Sequence, residues 1–177
     1  IINVVNEKIV FGLANANRAF VHNSIWLNIL PAFYFKGNYN FVSLPSFIIY
    51  LTFIIFSINQ IINNEKKISS YFLIVSIFYL ILKFTRISEF GNDIPAIIFS
   101  VLSIYFFFKF NEEKKPEKKN SYFFYNFSFA IFAILIKFSS IPVFILTFYL
   151  FYKNYKILIK NILKPNYLTI FCLGIIF

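Results

Sequence analysis

The chain has 177 residues, 59% of them hydrophobic, 23% aromatic and 14% charged, with a formal net charge of +10. Its charged fraction is well below the roughly 25% of ordinary globular domains, and its apolar runs are too long and uniform for one soluble core. Stretches such as "FIIYLTFIIF" do not alternate as barrel strands must, so a soluble enzyme and a β-barrel are both excluded in favour of an all-α, polytopic transmembrane helix bundle.

Residues 1–41 are expected to form an exoplasmic juxtamembrane segment. In "FGLANANRAFVHNSIWLNIL", residues 11–30, a helix over 13–30 puts Asn15, Arg18 and His22 on one face and Leu13, Phe20 and Leu27 opposite. That pattern predicts an interfacial helix lying along the membrane, with Trp26 in the headgroup belt. His22 has no second His or Cys nearby, which makes it a poor metal ligand. It suits a solvated interfacial histidine or a contact to substrate. Asn23 and Ser24 suit a local turn cap or substrate contacts equally.

Residues 42–177 are expected to be the transmembrane bundle, with about six spans, near 42–62, 68–84, 94–110, 121–137, 139–152 and 166–177. Several are at or below the usual lower limit of about 17 residues, which implies local thinning or ends packed against protein. The absence of Met and the apolar end "TIFCLGIIF" read as an internal fragment truncated at both ends. Cys172, the single cysteine, permits no internal disulfide and reads as a small core hydrophobe.

The loops differ in charge. Those at 63–67, 111–120 and 153–165 are Lys-rich, whereas "FTRISEFGND" and "KFSSIP" carry far less positive charge. The positive-inside rule makes the first set cytoplasmic and puts residues 1–40, the 84–93 loop and the 137–141 turn on the exoplasmic face. Basic residues lying between apolar runs also point to anionic lipid rather than nucleic acid. "SLP" at 43–45, "DIP" at 93–95 and "SIP" at 140–142 each place a capping residue two before proline, a helix-start pattern on the exoplasmic side.

The stretch "KFTRISEFGNDIPA", residues 83–96, puts Lys83, Arg86, Glu89 and Asp93 within eleven residues of a chain short of charge. Intramembrane and boundary charges need partners. One reading is local: Asp93 caps the next helix and Arg86 pairs with Glu89 at the water interface. The other is a shared polar site, joined by Lys137 and Arg18 as cations facing a phosphate; Lys137 also suits a snorkelling side chain. Three cations with amide and hydroxyl donors suit a lipid-linked phosphate or diphosphate. No Gly-rich phosphate loop, nucleophile elbow or His-Glu metal motif is present.

Taken together, "GLANANRAFVHNSIW", "RISEFGNDIPA" and "IKFSSIP" resemble a family of bacterial polytopic proteins related to GT-C glycosyltransferases, the superfamily of the protein mannosyltransferases and aminoarabinose transferases. The resemblance implies a multi-pass protein of the bacterial inner (cytoplasmic) membrane, taking part in cell-envelope polysaccharide or glycolipid synthesis. Its substrate would be a polyprenyl-phosphate-linked sugar donor, with membrane lipid as its other partner. No organic cofactor is implied, and a divalent cation is left open. It also implies a main catalytic base upstream of Ile1, assisted by Glu89 or Asp93, with Asn15, Arg18, His22, Asn23, Arg86 and Lys137 binding the phosphate-linked substrate. The alternatives are a membrane transporter or lipid-linked glycan flippase, and a non-catalytic membrane subunit. Neutral span centres such as "LIVSIFYLIL" favour chemistry at the membrane face over transit.

Overall fold

The computed structural model of the protein describes residues 24–33, 41, 43–63, 67–89 and 92–162. Asn15, Arg18, His22, Asn23 and Cys172, the first half of the expected interfacial helix and the expected span at 166–177 lie outside the described residues. What is described is all-helical: α1 (Ile25–Ile29), α2 (Leu44–Asn63), α3 (Ile68–Leu82), α4 (Asp93–Glu112), α5 (Pro116–Ile136) and α6 (Ile141–Ile162). Short 3-10 turns at Leu30–Phe33, Phe84–Glu89 and Phe138–Ser140 join them.

Two of the proline signals set helix starts as expected. Ser43 and Ser140 immediately precede α2 and α6, with Pro45 and Pro142 in second position, where the lost N–H has no intrahelical acceptor. "DIP" differs by one residue: Asn92 occupies the cap position and Asp93 begins the helix.

α4 is the central helix and packs against α2, α3, α5 and α6, most extensively against α5. Tyr50 and Phe53 of α2, Leu73 and Leu80 of α3, and Ile94, Ile98 and Tyr105 of α4 form the main core. A second cluster, Phe110, Phe123 and Leu150, closes the other end of α4 against α5 and α6. Trp26 is only 4% exposed and packs with Leu30, Ala96 and Ile136, which corrects its expected place in the headgroup belt. The short α1 folds its apolar side onto α5, so the indole serves as a core group.

Large apolar side chains point outward: Ile55, Phe78, Leu82 and Ile145 are 65% exposed or more. Small polar ones point inward: Ser57, Ser76, Ser103, Asn126 and Thr147 are buried. A helix of a soluble protein does the reverse. Small and hydrogen-bonding residues between helices are the packing used where the surroundings are as apolar as the side chains.

One buried network fixes the register of α4, α5 and α6. Asn126 Nδ2 donates to the Ser103 carbonyl (2.8 Å) and Oγ (3.0 Å), and Ser103 Oγ donates to the Asn126 carbonyl (3.0 Å). Thr147 Oγ1 donates to Asn126 Oδ1 (2.7 Å). α4 and α5 run antiparallel, so this pairing brings the start of α4, ten residues before Ser103, beside the end of α5, ten residues after Asn126.

Among the described residues two helices, α2 and α4, each of 20 residues, are long and apolar enough to cross a membrane. About six spans is more than these two helices support, and the last of the six, at 166–177, lies outside the described residues. α3 is apolar but has only 15 residues. α5 starts at Pro116 and draws Glu117, Lys118 and Lys119 into its first turn, ahead of the expected 121. α6 continues past 152 through Lys153, with non-helical backbone at Asn154, into what was expected to be loop. Counting apolar runs missed this, because helices continue into charged residues wherever their ends reach polar surroundings.

Candidate functional site

The site forms where α3 and α5 end and α4 begins. α3 stops at Lys83, whose backbone leaves the helical region, and the Phe84–Glu89 turn returns the chain toward Asp93. α5 stops at Ile136, and Lys137 is extended (φ −147°, ψ 115°) before the Phe138–Ser140 turn.

The Ile136 carbonyl, one of the last of α5 and so without an intrahelical donor, accepts from Asn92 Nδ2 (3.0 Å) and Ser24 Oγ (2.6 Å). These two bonds tie the segment before α1 and the start of α4 to the residue next to Lys137. Ser24, expected as a turn cap or substrate contact, is thus a buried link between segments, and it makes no side-chain cap bond to α1.

The Asp93 carboxylate pairs with two cations. Lys137 Nζ donates to Oδ1, and Arg86 Nη1 lies 3.5 Å from Oδ2. The side chains are part-exposed, at 37% for Asp93, 41% for Lys137 and 47% for Arg86, so water reaches all three. The local reading of Asp93 is corrected here: the cap position belongs to Asn92, and the Asp93 carboxylate turns toward neighbouring segments. Arg86 likewise pairs with Asp93. Glu89 closes the 3-10 turn, and its side chain lies outside the described residues.

Arg86, Asp93 and Lys137 line a cleft of about 370 Å³ with Lys83 and the Ser139 and Ser140 hydroxyl groups. Tyr79 and Ser100 extend the polar lining along α3 and α4, and Ala96, Ile97 and Val101 supply apolar wall. Ser100 Oγ donates back to the Ala96 carbonyl (2.7 Å), which leaves its oxygen as an acceptor. Three cations, one carboxylate and several hydroxyls thus meet in a space large enough for a phosphate group with part of its substituent. Oxyanions are held by this combination of charge and donors, and the planar Arg86 fork is the group able to grip two oxygens at once.

Tyr79 and Ser100 were not among the residues expected at the site, and Lys83 was noted in the charge cluster without a role there. Their signal was present as spacing: Tyr79 and Lys83 are four apart on α3, and Asp93, Ala96 and Ser100 follow the three-and-four rhythm of one α4 face. Among the described residues no group of three or more His, Cys, Asp or Glu gathers as a metal site.

No curated protein and no solved structure matches the chain. A family model described as a domain of unknown function, DUF8201, matches residues 2–177. The chain, matched over nearly its whole length, belongs to the DUF8201 family.

Proposed function

We propose that the protein is a multi-pass integral membrane glycosyltransferase of the GT-C type, working at the exoplasmic face on a polyprenyl-phosphate sugar donor. The observation that carries this reading is the convergence of Lys83, Arg86 and Lys137 around a single carboxylate at the ends of apolar helices. The inside-out distribution of polar and apolar side chains supports placement in lipid, and the resemblance of "RISEFGNDIPA" and "IKFSSIP" to that superfamily supports the reaction class.

In the transfer, the bond from the anomeric carbon to the donor phosphate oxygen breaks, and the phosphate leaves with the electron pair. An acceptor hydroxyl oxygen bonds to the anomeric carbon, and its proton passes to a carboxylate. Arg86, Lys137 and Lys83 stabilise the phosphate as its charge grows. Without substrate, Asp93 holds Arg86 and Lys137. A phosphate entering the cleft competes for both cations and leaves Asp93 to orient the acceptor hydroxyl.

The test is sugar transfer from a polyprenyl-phosphate donor in membranes, normalised to folded protein. Arg86→Lys keeps charge but loses the fork and is expected to reduce transfer roughly tenfold or more, by the weight of a charge-assisted hydrogen bond. Lys137→Arg keeps charge and gains donors, so it is expected to be milder. Asp93→Asn is expected to fold and transfer poorly. Full transfer by both Arg86→Lys and Asp93→Asn would remove the cleft from the chemistry.

A further inference from the structure

The opposite end of α4 carries a second charged cavity, of about 450 Å³, which the transfer chemistry does not use. Five lysines line it, Lys67, Lys109, Lys114, Lys115 and Lys118, against two glutamates, Glu112 and Glu113, with Tyr122 completing the wall.

The two glutamates offset the five lysines only in part, and both are also engaged with other donors. Glu112 is committed to the start of α3: its Oε1 accepts from the Ser69 N–H (2.8 Å) and its Oε2 from Ser69 Oγ (2.7 Å). Glu113 Oε1 accepts from the backbone N–H of Lys114 (2.9 Å) and Lys115 (3.1 Å). Those amides, that of Lys115 foremost, hold the Glu113 carboxyl below the usual carboxylate range, so it stays an anion engaged with its own turn. Among the described residues the cavity's lysines have no carboxylate oxygen within 4 Å.

Lys109 is the decisive group. It is 6% exposed and lines the cavity, with its ammonium 5.7 Å from the centre of the Tyr105 ring and within reach of the charges of Glu112, Glu113 and Lys67. Five ammonium groups around one cavity outnumber its two carboxylates, and that surplus of positive charge favours an anion between them. Lysine ammoniums are compact point charges with three donors each, which suits a multiply charged tetrahedral oxyanion better than a planar, singly charged one.

We infer that the Lys109 cavity binds a phosphate group, carried by an anionic phospholipid headgroup or free in solution. The site stands independently of glycosyl transfer. Its volume exceeds what a bare ion needs and leaves room for a substituent on the phosphate.

The experiment uses the purified full-length protein in two settings. In neutral detergent, inorganic phosphate is titrated against chloride at matched ionic strength, with thermal unfolding as the readout. In nanodiscs of phosphatidylcholine with or without phosphatidylglycerol, retained lipid is counted by native mass spectrometry. Stabilisation by phosphate identifies a site open to the free ion; selective retention of phosphatidylglycerol identifies a headgroup site; both together identify a headgroup site that phosphate also enters.

Lys109→Gln is expected to weaken binding roughly tenfold or more, and Lys109→Arg to restore most of it. The exposed pair Lys114→Gln with Lys118→Gln leaves the buried core untouched and is expected to weaken binding as well, so it decides the matter if Lys109→Gln does not fold. Lys153→Gln, outside the cavity, serves as the control for general charge. Binding of neither probe, or equal binding by wild type, Lys109→Gln and the paired variant, overturns the inference.

Discussion

Replacing Asn126 with Leu removes the group that joins three helices, and its cost can be worked from the bonds lost. The Asn126 side chain is fully buried and makes three hydrogen bonds, two donated to Ser103 and one accepted from Thr147. Interhelical bonds between apolar surroundings are worth about 0.6 kcal/mol each on average, up to about 1.7. The Ser103 Oγ bond to the Asn126 carbonyl is main-chain on the acceptor side and survives the change. Thr147 can turn its hydroxyl to the carbonyl four residues earlier, which limits the penalty for an orphaned donor. The net expectation is a loss of about 2 kcal/mol. The assay is reversible unfolding in mixed micelles, read for Asn126→Leu, Thr147→Val and the double variant. Coupling between the two sites should be about 0.6 to 1.7 kcal/mol, because they share one bond. Since Ser103 and Asn126 also set the register that brings Asp93 to Lys137, a spin-label distance between the ends of α4 and α5 should broaden in Asn126→Leu. Zero coupling together with an unchanged distance distribution would refute the network's role in placing the cleft.

Glu112→Ala removes both acceptors at the start of α3 and is expected to destabilise by about 1 to 2 kcal/mol in the same unfolding assay, the usual weight of a lost helix cap. Glu112→Gln keeps one acceptor and should lose about half as much. For orientation, Lys115→Cys should resist an impermeant thiol reagent in intact cells and Ser139→Cys should react, with Cys172 replaced beforehand. The opposite labelling pattern would move the cleft to the cytoplasmic side.

Helical class and most helix starts were legible because they depend on local rules: uniform apolar runs, and Ser-x-Pro before α2 and α6. That Arg86, Lys137 and Asp93 share one end of the bundle was legible as one of two readings, from charge scarcity at a boundary, whereas their pairing was not: the local reading joined Arg86 to Glu89. What was not legible depended on tertiary direction. Nothing local tells that the Asn92 amide crosses to Ile136 instead of bonding within its own turn, or that Trp26 is enclosed by Ala96 and Ile136. Lys83, Tyr79 and Ser100 became site residues only once the faces of α3 and α4 were set against each other. Lys109 is the sharpest case: in sequence it falls at the end of the expected 94–110 span, next to a Lys-rich loop, whereas folding buries most of it beside Tyr105.

The two charged cavities bear on each other through the length of α4. Asp93 opens that helix and Lys109 lies sixteen residues on, a rise of about 24 Å. The hydrocarbon core of a bilayer is about 30 Å thick, and short spans are accommodated by local thinning. Between the two positions the α4 sequence "IPAIIFSVLSIYFFF" has no ionisable group except the Tyr105 phenol, which donates to Gln60 (2.8 Å). A soluble helix of this length would be expected to expose charge along one face. α4 instead keeps its charges at its two ends, with five lysines and two glutamates around one and Lys83, Arg86 and Lys137 with Asp93 around the other, so that lysine is concentrated at the first. That asymmetry is what the positive-inside rule predicts for a helix whose Lys-rich end faces the cytoplasm. Under the two proposals above the ends take separate roles: positive charge that faces a phosphate or anionic headgroup at one, and at the other an ion-pair cluster that the phosphate of a sugar donor opens.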